Sequence, residues 1–340
     1  MNLEQIAKLS GVSRSTASRV INNDPNVSDN ARENVKRIVR LMNYVPNAAA
    51  RGLAAGRTQV IGLVIPTGVS ALFSDPYCSI LIQSVSSACN AHNYSVMLWI
   101  AQPEYERRQI HQIVRSGAID GAIIAPTLAN DTLVQALLAG SLPFIVIGHY
   151  PANGRVNYVD ADDILGAHEA VRHLLRMGRT RIATITGPQN TITGIDRLMG
   201  YMHALRECGL PVESDLIAAG GFSEGGGYIA MQQLLPHRPD AVFAANDIMA
   251  MGALRAIRDT GLRVPQDIAV VAFDDTPLAA RAEPPLTTIH RPTHQVGNLA
   301  VETLIEMIEY PKSSPYRIML PTELIIRSSC GAAFKEKLAC

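Results

Sequence analysis

The sequence predicts an all-α helix-turn-helix head followed by an α/β body of two doubly wound parallel-sheet lobes. Residues 3–21 show helical apolar spacing on both sides of Gly11, which suits a tight turn. Short apolar runs then alternate with amphipathic stretches through the rest of the chain, as in βαβ units.

The charged residues are divided between head and body in the same way. The chain has 30 Lys and Arg against 30 Asp and Glu, but residues 1–58 hold nine basic and four acidic residues. A basic head on an acidic body indicates nucleic-acid binding at one end.

Within the head, Asn2 and Ser13 are suited to cap the first two helices, and the second helix runs to about Ile21. The inward-facing residues are predicted to be Ile6, Ala7, Leu9, Val12, Ala17, Val20 and Ile21. The second helix then presents outward Arg14, Ser15, Ser18 and Arg19. Arginine can bridge O6 and N7 of guanine in the major groove, and serine can bond a base or a phosphate. The alternative is a plain helical hairpin with a solvated basic face.

A third helix is predicted over residues 29–43, capped by Ser28. Its buried side is predicted to contain Ala31, Val35, Ile38, Val39 and Met42. The following segment, 46–57, begins with Pro46 and is rich in alanine, but Gly52 costs a helix about 1 kcal/mol relative to alanine. Isolated helices of this length are marginal in water, so we expect a hinge that is helical only when something stabilises it.

The body alternates strands with helices in two successive sets. The predicted strands of the first set are Val60–Ile65, Ser95–Ile100, Ala122–Ala125, Phe144–Gly148 and Tyr158–Val159. Those of the second set are Arg181–Thr186, Leu216–Ala219, Ala241–Ala245 and Ile268–Phe273. Helices are predicted at 77–92, 104–116, 130–139, 163–177, 195–208, 225–235, 247–260 and 294–309. Two such sets predict two similar lobes, with ligands bound beyond the carboxyl ends of the strands.

The residues that follow these strands are polar or aromatic. They are Thr67, Phe73, Asp75, His149, Thr191, Thr193, Arg197, Phe222, Asn246, Asp247, Asp274 and Asp275. Carboxylate and guanidinium groups can each pair with two neighbouring hydroxyls, and a ring can cover a C–H face, so the set suits a polyol. Taken singly, each residue can also be a helix cap, a surface ion pair or part of the core.

Residues 2–57 resemble the DNA-binding head and hinge of the LacI/GalR family of bacterial transcriptional regulators. The shared residues are Ile6-Ala7, Gly11-Val12-Ser13, Thr16, Ser18-Arg19-Val20, Asn22, Val27-Ser28, Tyr44, Pro46-Asn47, Ala50 and Leu53. The resemblance implies that Arg14 and Ser15 read bases with Arg19 beside them. It implies phosphate contacts for Ser13, Thr16 and Asn22. Leu53, near Ala50, would be an apolar wedge in the minor groove.

The body is similar to the family's periplasmic-binding-protein-like effector domain. The matching stretches are Val60–Pro66, Arg197-Leu198-x-Gly200-Tyr201, Ala245-Asn246-Asp247, Val264-Pro265-x-Asp267, Phe273-Asp274-Asp275 and the return crossing Leu286–Ile289. By position, the resemblance implies effector contacts for Phe73, Asp75, His149, Thr193, Arg197, Phe222, Asn246 and Asp275. The resemblance implies that Arg197, Asn246 and Asp275 are the principal contacts among these and that Phe222 is the stacking residue. The loop over 72–77 is longer than in some members, which leaves the identity of the ligand open.

These inferences predict a helix-turn-helix domain over 1–45, a hinge over 46–58, an effector and dimerisation domain over 59–330 and a tail over 331–340. One lobe is predicted to comprise 59–159 with 288–317, and the other 160–287 with 318–330. The predicted protein is a homodimeric repressor that binds a pseudo-palindromic double-stranded operator. A sugar or sugar acid between the lobes controls its affinity for DNA. A purine-responsive corepressor mechanism, with the opposite sign, is the alternative.

Some features of the sequence are also found in other classes of protein. Gly221-Phe222-Ser223-Glu224-Gly225 fits a hydrolase nucleophile elbow, and Gly225-x-Gly227-x-x-Ala230 mimics a dinucleotide-binding fingerprint. Ser223 as a helix cap explains the first pattern better. A sugar-binding transport or chemotaxis protein would share the body but not the basic head. Five cysteines without ligand spacing predict no metal, and no cofactor is expected. No export signal or membrane span is predicted, so we expect a cytoplasmic protein.

Overall fold

A computed structural model describes residues 2–22, 24–44, 57–65, 75–100, 117–125, 128–129, 132–150, 154–310 and 314–332. The chain forms two compact units, Met1–Gln59 with Gly117–Asp120, and Val60–Ser116 with Gly121–Cys340. Ala50, Leu53 and Phe73 lie outside the described residues, as do residues 46–56 of the predicted hinge (46–58) and the predicted helix over 104–116.

The first unit contains the three predicted helices: α1 (Leu3–Ser10), α2 (Arg14–Ile21) and α3 (Asp29–Leu41). Asn2 begins α1 with a capping box, in which its side chain accepts from the backbone N–H of Gln5 and the Gln5 side chain accepts from the backbone N–H of Asn2. Gly11 ends α1 with φ of 66°, and Ser13 Oγ accepts from the N–H of Thr16 at 3.1 Å to begin α2. The turn therefore forms as the sequence predicts.

The core of the head differs from the prediction at its edges. It consists of Ile6, Ala7, Ala17, Val20, Val35 and Ile38. Leu9 and Met42 were predicted to be buried, but they are 52% and 43% exposed. In α1 it is Ser10, one turn after Ile6, that faces the interior, while Met42 lies just beyond the end of α3 and leaves its periodicity. Ser28 occupies the N-cap position of α3 without making the predicted side-chain hydrogen bond.

The first sheet of the body is parallel throughout. Its strands are β1 (Val60–Ile65), β2 (Ser95–Ile100), β3 (Gly121–Ile124), β4 (Phe144–Ile147), β5 (Tyr158–Ala161) and β11 (Arg317–Leu320). Their order is β11-β5-β4-β3-β1-β2. β11 was not predicted, because it is a four-residue edge strand whose residues lie mostly outside the core.

The second sheet repeats this plan. Its strands are β6 (Ile182–Thr186), β7 (Ile217–Ala219), β8 (Ala241–Ala244), β9 (Ala269–Asp274), β10 (Thr287–His290) and β12 (Glu323–Ile325). The order is β12-β10-β9-β8-β6-β7, and only β12 runs antiparallel to its neighbour. The sequence predicted the first four as strands from their apolar runs. It indicated β10 only through the family resemblance and missed β12.

Helices cover both sheets. They are α4 (Pro76–Ala91), α5 (Thr132–Leu138), α6 (Asp163–Arg176), α7 (Ile192–Glu207), α8 (Glu224–Leu234), α9 (Asp247–Asp259), α10 (Pro277–Arg281) and α11 (Thr293–Glu309). α4 and α11 pack on each other and on the first sheet, whereas α6 and α7 cover one face of the second sheet and α8 and α9 the other. This layering is that of a doubly wound α/β lobe.

The chain passes between the two lobes three times. It leaves the first sheet after Ala161, returns to the first lobe after His290, and leaves it again after Leu320. The crossings lie two or three residues after the approximate lobe boundaries predicted at 159, 287 and 317. Each of β5, β10 and β11 belongs whole to one sheet, and the crossings lie where these strands end.

A buried carboxylate joins three elements of the second lobe. Asp247, at the start of α9, is almost fully buried. Its Oδ2 accepts from the N–H and the hydroxyl of Thr276 at 2.6 and 2.9 Å, and its Oδ1 accepts from the hydroxyl of Thr288 at 2.7 Å. Burial raises the pKa of Asp247 to about 7.

Replacing this carboxylate tests its role. Asp247→Ala leaves three donors unpaired, so we expect its free energy of unfolding to fall by about 1–3 kcal/mol. Asp247→Asn can keep all three bonds, because its Oδ1 can accept from Thr276 and its Nδ2 can donate to Thr288. Urea unfolding of the full chain measures both changes.

The pH dependence of the same variants checks the sign of the pKa shift. The folded-state pKa lies above the unfolded value, so ionising Asp247 destabilises the fold as pH rises from about 4 through about 7. Relative to the natural protein, Asp247→Asn should therefore be more stable at pH 8 than at pH 5. Equal destabilisation of the Ala and Asn variants at both pH values would contradict this account.

Candidate functional site

The second helix of the head presents the polar face that the sequence predicted. Arg14, Ser15 and Arg19 are exposed. Ser13 Oγ lies 2.8 Å from both Ser15 Oγ and Thr16 Oγ1, so a small hydroxyl cluster stands at the N-terminus of α2. Arg19 is 3.9 Å from Asp24 and well exposed, a separation at which an ion pair restrains it little. These side chains, with exposed Asn22 at the other end of the helix, are available to a nucleic acid.

A cavity of about 340 Å³ lies between the two lobes of the body. The described residues that line it are Asp75, Tyr77, Cys78, Leu128, Pro188, Asn190, Thr191, Thr193, Arg197, Gly221, Phe222, Asn246, Asp274 and Arg291. Both lobes contribute, and most of these residues follow the carboxyl ends of strands. The cavity therefore lies where ligands bind in open α/β sheets.

The cavity brings together five of the eight predicted effector residues: Asp75, Thr193, Arg197, Phe222 and Asn246. Phe73 lies outside the described residues. His149 and Asp275 do not line the cavity. His149 instead lies with its Nδ1 3.2 Å from Asp160 Oδ2 and 3.3 Å from Asp196 Oδ2.

Asp274, and not Asp275, is the carboxylate at the end of β9 that enters the cavity. Its Oδ1 accepts from Arg197 Nη2 at 2.8 Å. Asp275 is paired elsewhere, with Arg327 at 2.7 Å and His290 at 3.1 Å. Both aspartates have positive φ, 102° and 55°, so the chain turns sharply at the strand end. Simple strand alternation does not determine which side chain such a turn directs into the cavity.

Arg197 is buried at the centre of the cavity wall. Its guanidinium donates to Asp163 Oδ1 at 3.2 Å, to Asp274 and to the carbonyl of Ala245. It also lies 3.8 Å over the ring of Phe273. These contacts hold the Arg197 guanidinium rigidly and already compensate its charge, so a neutral ligand can lie beside it without disturbing an ion pair.

The position of the Phe222 ring in the cavity depends on a glycine, Gly187, that the sequence analysis did not single out. Phe222 has φ of 56°, and Gly187 directly follows β6. A Cβ on Gly187 would lie 2.3 Å from the Phe222 ring, well inside van der Waals contact. Phe222 can cover the cavity in this position only because residue 187 has no side chain.

Two further polar groups of the cavity are held by helix caps. Asp75 accepts from the N–H of Tyr77 at 3.0 Å, at the start of α4, and burial together with nearby Asp274 raises its pKa to about 6. Asn246 accepts from the N–H of Met249 at 3.0 Å, at the start of α9. Because Oδ1 of Asn246 makes the cap, its Nδ2 group is the donor left for the cavity.

Arg291 is the functional residue that sequence reasoning missed. It lies where the chain returns to the first lobe, with Nη2 2.8 Å from Asp160 Oδ1 and Nε 3.5 Å from Asp163 Oδ1. Its guanidinium also lies 5.1 Å from the ring centre of Tyr77. Asp160 belongs to β5 and Asp163 to α6, so Arg291 joins the two lobes. The position of Arg291 directly after β10 would have marked it as a candidate site residue, but β10 was not predicted as a strand from its own residues.

Comparison with known proteins identifies the relatives of this chain. Residues 2–47 match the model of bacterial regulatory proteins of the lacI family, and residues 171–330 match a periplasmic binding protein-like domain. The transcriptional regulator CelR of Thermobifida fusca is 37% identical over 332 residues, which cover 96% of this chain and 97% of CelR. The chain belongs to the LacI family.

Solved structures agree with this assignment. A complex of the regulator CelR with cellobiose is 35% identical, with a TM-score of 0.77 over 97% of this chain and 99% of that one. A lac repressor dimer bound to operator and an anti-inducer is 27% identical, with a TM-score of 0.86 over 97% and 99% of the two chains. This LacI-family protein has the helix-turn-helix head and two-lobed body of those proteins.

The family membership decides between the classes of function considered from the sequence. This LacI-family protein is a DNA-binding transcriptional regulator and not an enzyme. The hydrolase alternative was wrong, and Ser223 Oγ is the cap of α8, accepting from the N–H of Gly226 at 3.0 Å. The transport-protein alternative fails because the match includes the head. Within the described residues, none of the helices is long and apolar enough to cross a membrane.

The position of Arg291 generates a stability prediction. In Arg291→Gln, Asp160 and Asp163 lose a buried counter-charge, and breaking a buried pair in this way costs about 3–5 kcal/mol. We expect that loss in the free energy of unfolding of the full chain, measured with urea. Arg263→Gln is the matched control, because Arg263 is 72% exposed and pairs with Asp267 on the surface. Similar stability of the two variants would refute the bridging role of Arg291.

Proposed function

We propose that this regulator is a homodimeric repressor in the bacterial cytoplasm, and that a neutral sugar bound between its lobes releases it from the operator. One observation carries the proposal. The cavity combines paired guanidinium groups, amides, two carboxylates and aromatic rings, among them the side chains of Arg197, Asn246, Asp75, Asp274 and Phe222. Such a lining matches a ligand that has many hydroxyls and one apolar C–H face.

The charges of the cavity favour a neutral sugar over a sugar acid. Arg197 and Arg291 are already paired with carboxylates of the protein itself. Asp75, by contrast, has no basic partner within hydrogen-bond distance among the described residues. An anionic ligand would be repelled by the Asp75 carboxylate. It would also find no unpaired guanidinium among the described residues that line the cavity. Hydroxyl groups can donate to that carboxylate, and the cellobiose in the CelR complex is a ligand of this neutral class.

The head would supply the DNA contacts. Arg14 and Ser15, with Arg19 beside them, would read base edges in the major groove, while Ser13, Thr16 and Asn22 would hold phosphates. Two heads of a dimer would then bind the two half-sites of a pseudo-palindrome. The lac repressor dimer on its operator supports this arrangement by analogy. Minor-groove contacts by Ala50 and Leu53 complete the proposal.

The ligand would act through the groups that both lobes share. Asp163 binds Arg197 on the cavity wall and Arg291 at the lobe crossing. A sugar that bonds to Arg197 and Asp274 therefore contacts the same charge network that joins the lobes. Coupling of about 1–3 kcal/mol is typical of such systems, which corresponds to a 5- to 150-fold change in operator affinity.

A ligand screen on the full chain tests the proposal. Thermal unfolding is measured with neutral mono- and disaccharides, with the corresponding sugar acids, and with purine bases. Each ligand that stabilises the protein is then added to a complex with a pseudo-palindromic genomic fragment. We expect a neutral sugar to raise the melting temperature and to release the DNA. Stabilisation by sugar acids or purines alone, or a sugar that tightens DNA binding, would overturn the proposal.

The two neighbouring aspartates provide a matched pair of variants for the cavity. Asp274→Asn removes a charged acceptor, and hydrogen bonds to charged groups contribute about 1.5–3 kcal/mol, so we expect about 10- to 100-fold weaker binding of the sugar. Asp275→Asn should change the affinity by less than threefold, because Asp275 binds Arg327 and His290 instead. Isothermal titration with the sugar found in the screen measures both. A larger loss in Asp275→Asn would place the site elsewhere.

An arginine pair tests the DNA-binding face. Arg14→Ala should cost about 1–3 kcal/mol in binding to the operator and relax the preference for one base. Non-specific binding should change much less. Arg206→Ala, which removes an exposed arginine of the body helix α7, is the control and should leave both affinities unchanged. Gel-shift titrations at one fixed salt concentration provide the comparison, and an equal loss on specific and scrambled DNA would show that Arg14 contacts only phosphates.

A further inference from the structure

Three metal-ligating side chains from both lobes converge beside the cavity, at a place that neither the proposed sugar site nor the family comparison explains. His149 follows β4 and Asp160 lies in β5 of the first sheet, whereas Asp196 lies in α7 of the other lobe. One donor atom from each lies within 4.8 Å of the other two. His149 Nδ1 is 3.2 Å from Asp160 Oδ2 and 3.3 Å from Asp196 Oδ2.

Hydrogen bonds alone leave this cluster unsatisfied. A ring nitrogen carries at most one proton, and only Asp160 meets His149 Nδ1 with hydrogen-bond geometry. The Asp196 side chain is only 7% exposed, and it has no hydrogen bond within the part of the chain that the structure describes. A buried carboxylate without a donor is costly. Asp196 therefore faces a nitrogen that cannot satisfy it and Asp160 together.

We propose that His149, Asp160 and Asp196 bind one divalent transition-metal ion that bridges the two lobes. Zinc binds imidazole nitrogen at about 2.0–2.1 Å and carboxylate oxygen at about 2.0–2.2 Å. Ligand atoms around such an ion are separated by roughly 3.0–3.5 Å, which agrees with the two nitrogen–oxygen distances in the cluster. One ion would bond to all three side chains, which a proton cannot do.

The neighbouring contacts orient these side chains for metal binding. Asp160 Oδ1 accepts from Arg291 and from the N–H of Ala161, both at 2.8 Å, and Oδ2 accepts from the backbone N–H of His149 at 2.8 Å. These bonds fix the carboxylate, and the remaining lone pair of Oδ2 faces His149 Nδ1 and is the one that the ion would take. His149 is partly exposed, with 24% of its side chain open, so an ion and its remaining water ligands can reach the cluster. One imidazole with two carboxylates is a donor set that suits zinc or manganese better than magnesium.

The ion would hold the lobes in the arrangement that the structure shows. Two of its ligands move with the first lobe and one with the second, so any relative rotation of the lobes would break a metal–ligand bond. The ion and the sugar would then bind at separate places while acting on the same movement of the lobes. The metal can therefore be tested in the absence of any sugar.

The experiment uses the full chain after treatment with EDTA and removal of the chelator. Zinc chloride and manganese chloride are titrated by calorimetry and by thermal unfolding, with magnesium chloride as the control ion. We expect one zinc or manganese ion per chain, with a rise in melting temperature that magnesium does not produce. Absence of any binding below 1 mM would overturn the proposal.

Variants show whether the bound ion occupies this cluster. Asp196→Asn and His149→Gln should each weaken binding at least tenfold. Asp196→Asn removes a buried charge that accepts no hydrogen bond within the described residues, so it should fold. His168→Gln is the matched control, because His168 also pairs with a carboxylate, Glu207, at 2.8 Å but lies within one lobe. It should bind the ion as the natural protein does. Binding that is unchanged in Asp196→Asn and His149→Gln, for instance through surface cysteines, would refute the assignment.

Discussion

The body depends on a buried row of alternating charges that crosses from one lobe to the other. Along it, Asp160 binds Arg291, Arg291 also contacts Asp163, Asp163 binds Arg197, and Arg197 binds Asp274. Removing such groups from water is expensive, and the cost is recovered only while each guanidinium keeps its carboxylates. The row therefore restricts the positions that the two lobes can adopt, because Asp160 and Asp163 belong to different lobes.

The same constraint shapes what the cavity can accept. One end of the row, Arg197 with Asp274, forms part of the cavity wall, so a ligand there meets groups that already satisfy one another. A neutral hydroxyl can add a hydrogen bond to such a pair, whereas an added charge would compete with one of its members. Phe222 and Asp75 line the cavity from opposite lobes. The proposed metal cluster shares Asp160 with the row, so both features control one movement.

Much of the fold could be predicted from local sequence, because apolar runs and helix caps are local signals. Ser13, Thr191 and Asn246 begin helices as their residue types suggest, and most predicted strands lie within two residues of their observed bounds. The errors concern long-range arrangements. The family resemblance indicated Asp275, whereas the left-handed backbone at Asp274 and Asp275 directs the Asp274 side chain into the cavity. Arg291 was missed because its partners, Asp160 and Asp163, are about 130 residues away in the chain.

The direction of regulation follows from differential affinity and not from the strength of binding. A sugar that bound both lobe arrangements equally would leave operator affinity unchanged, however tightly it bound. The ligand acts only if its contacts across the cavity are better in one arrangement. Asp163 is the residue whose contacts depend most directly on the lobe arrangement. Its Oδ1 atom contacts both Arg197 and Arg291, while its buried Oδ2 has no hydrogen-bond partner among the described residues. A small rotation of the lobes must therefore redistribute the bonds of Asp163, and this residue can convert an occupied cavity into a changed lobe arrangement.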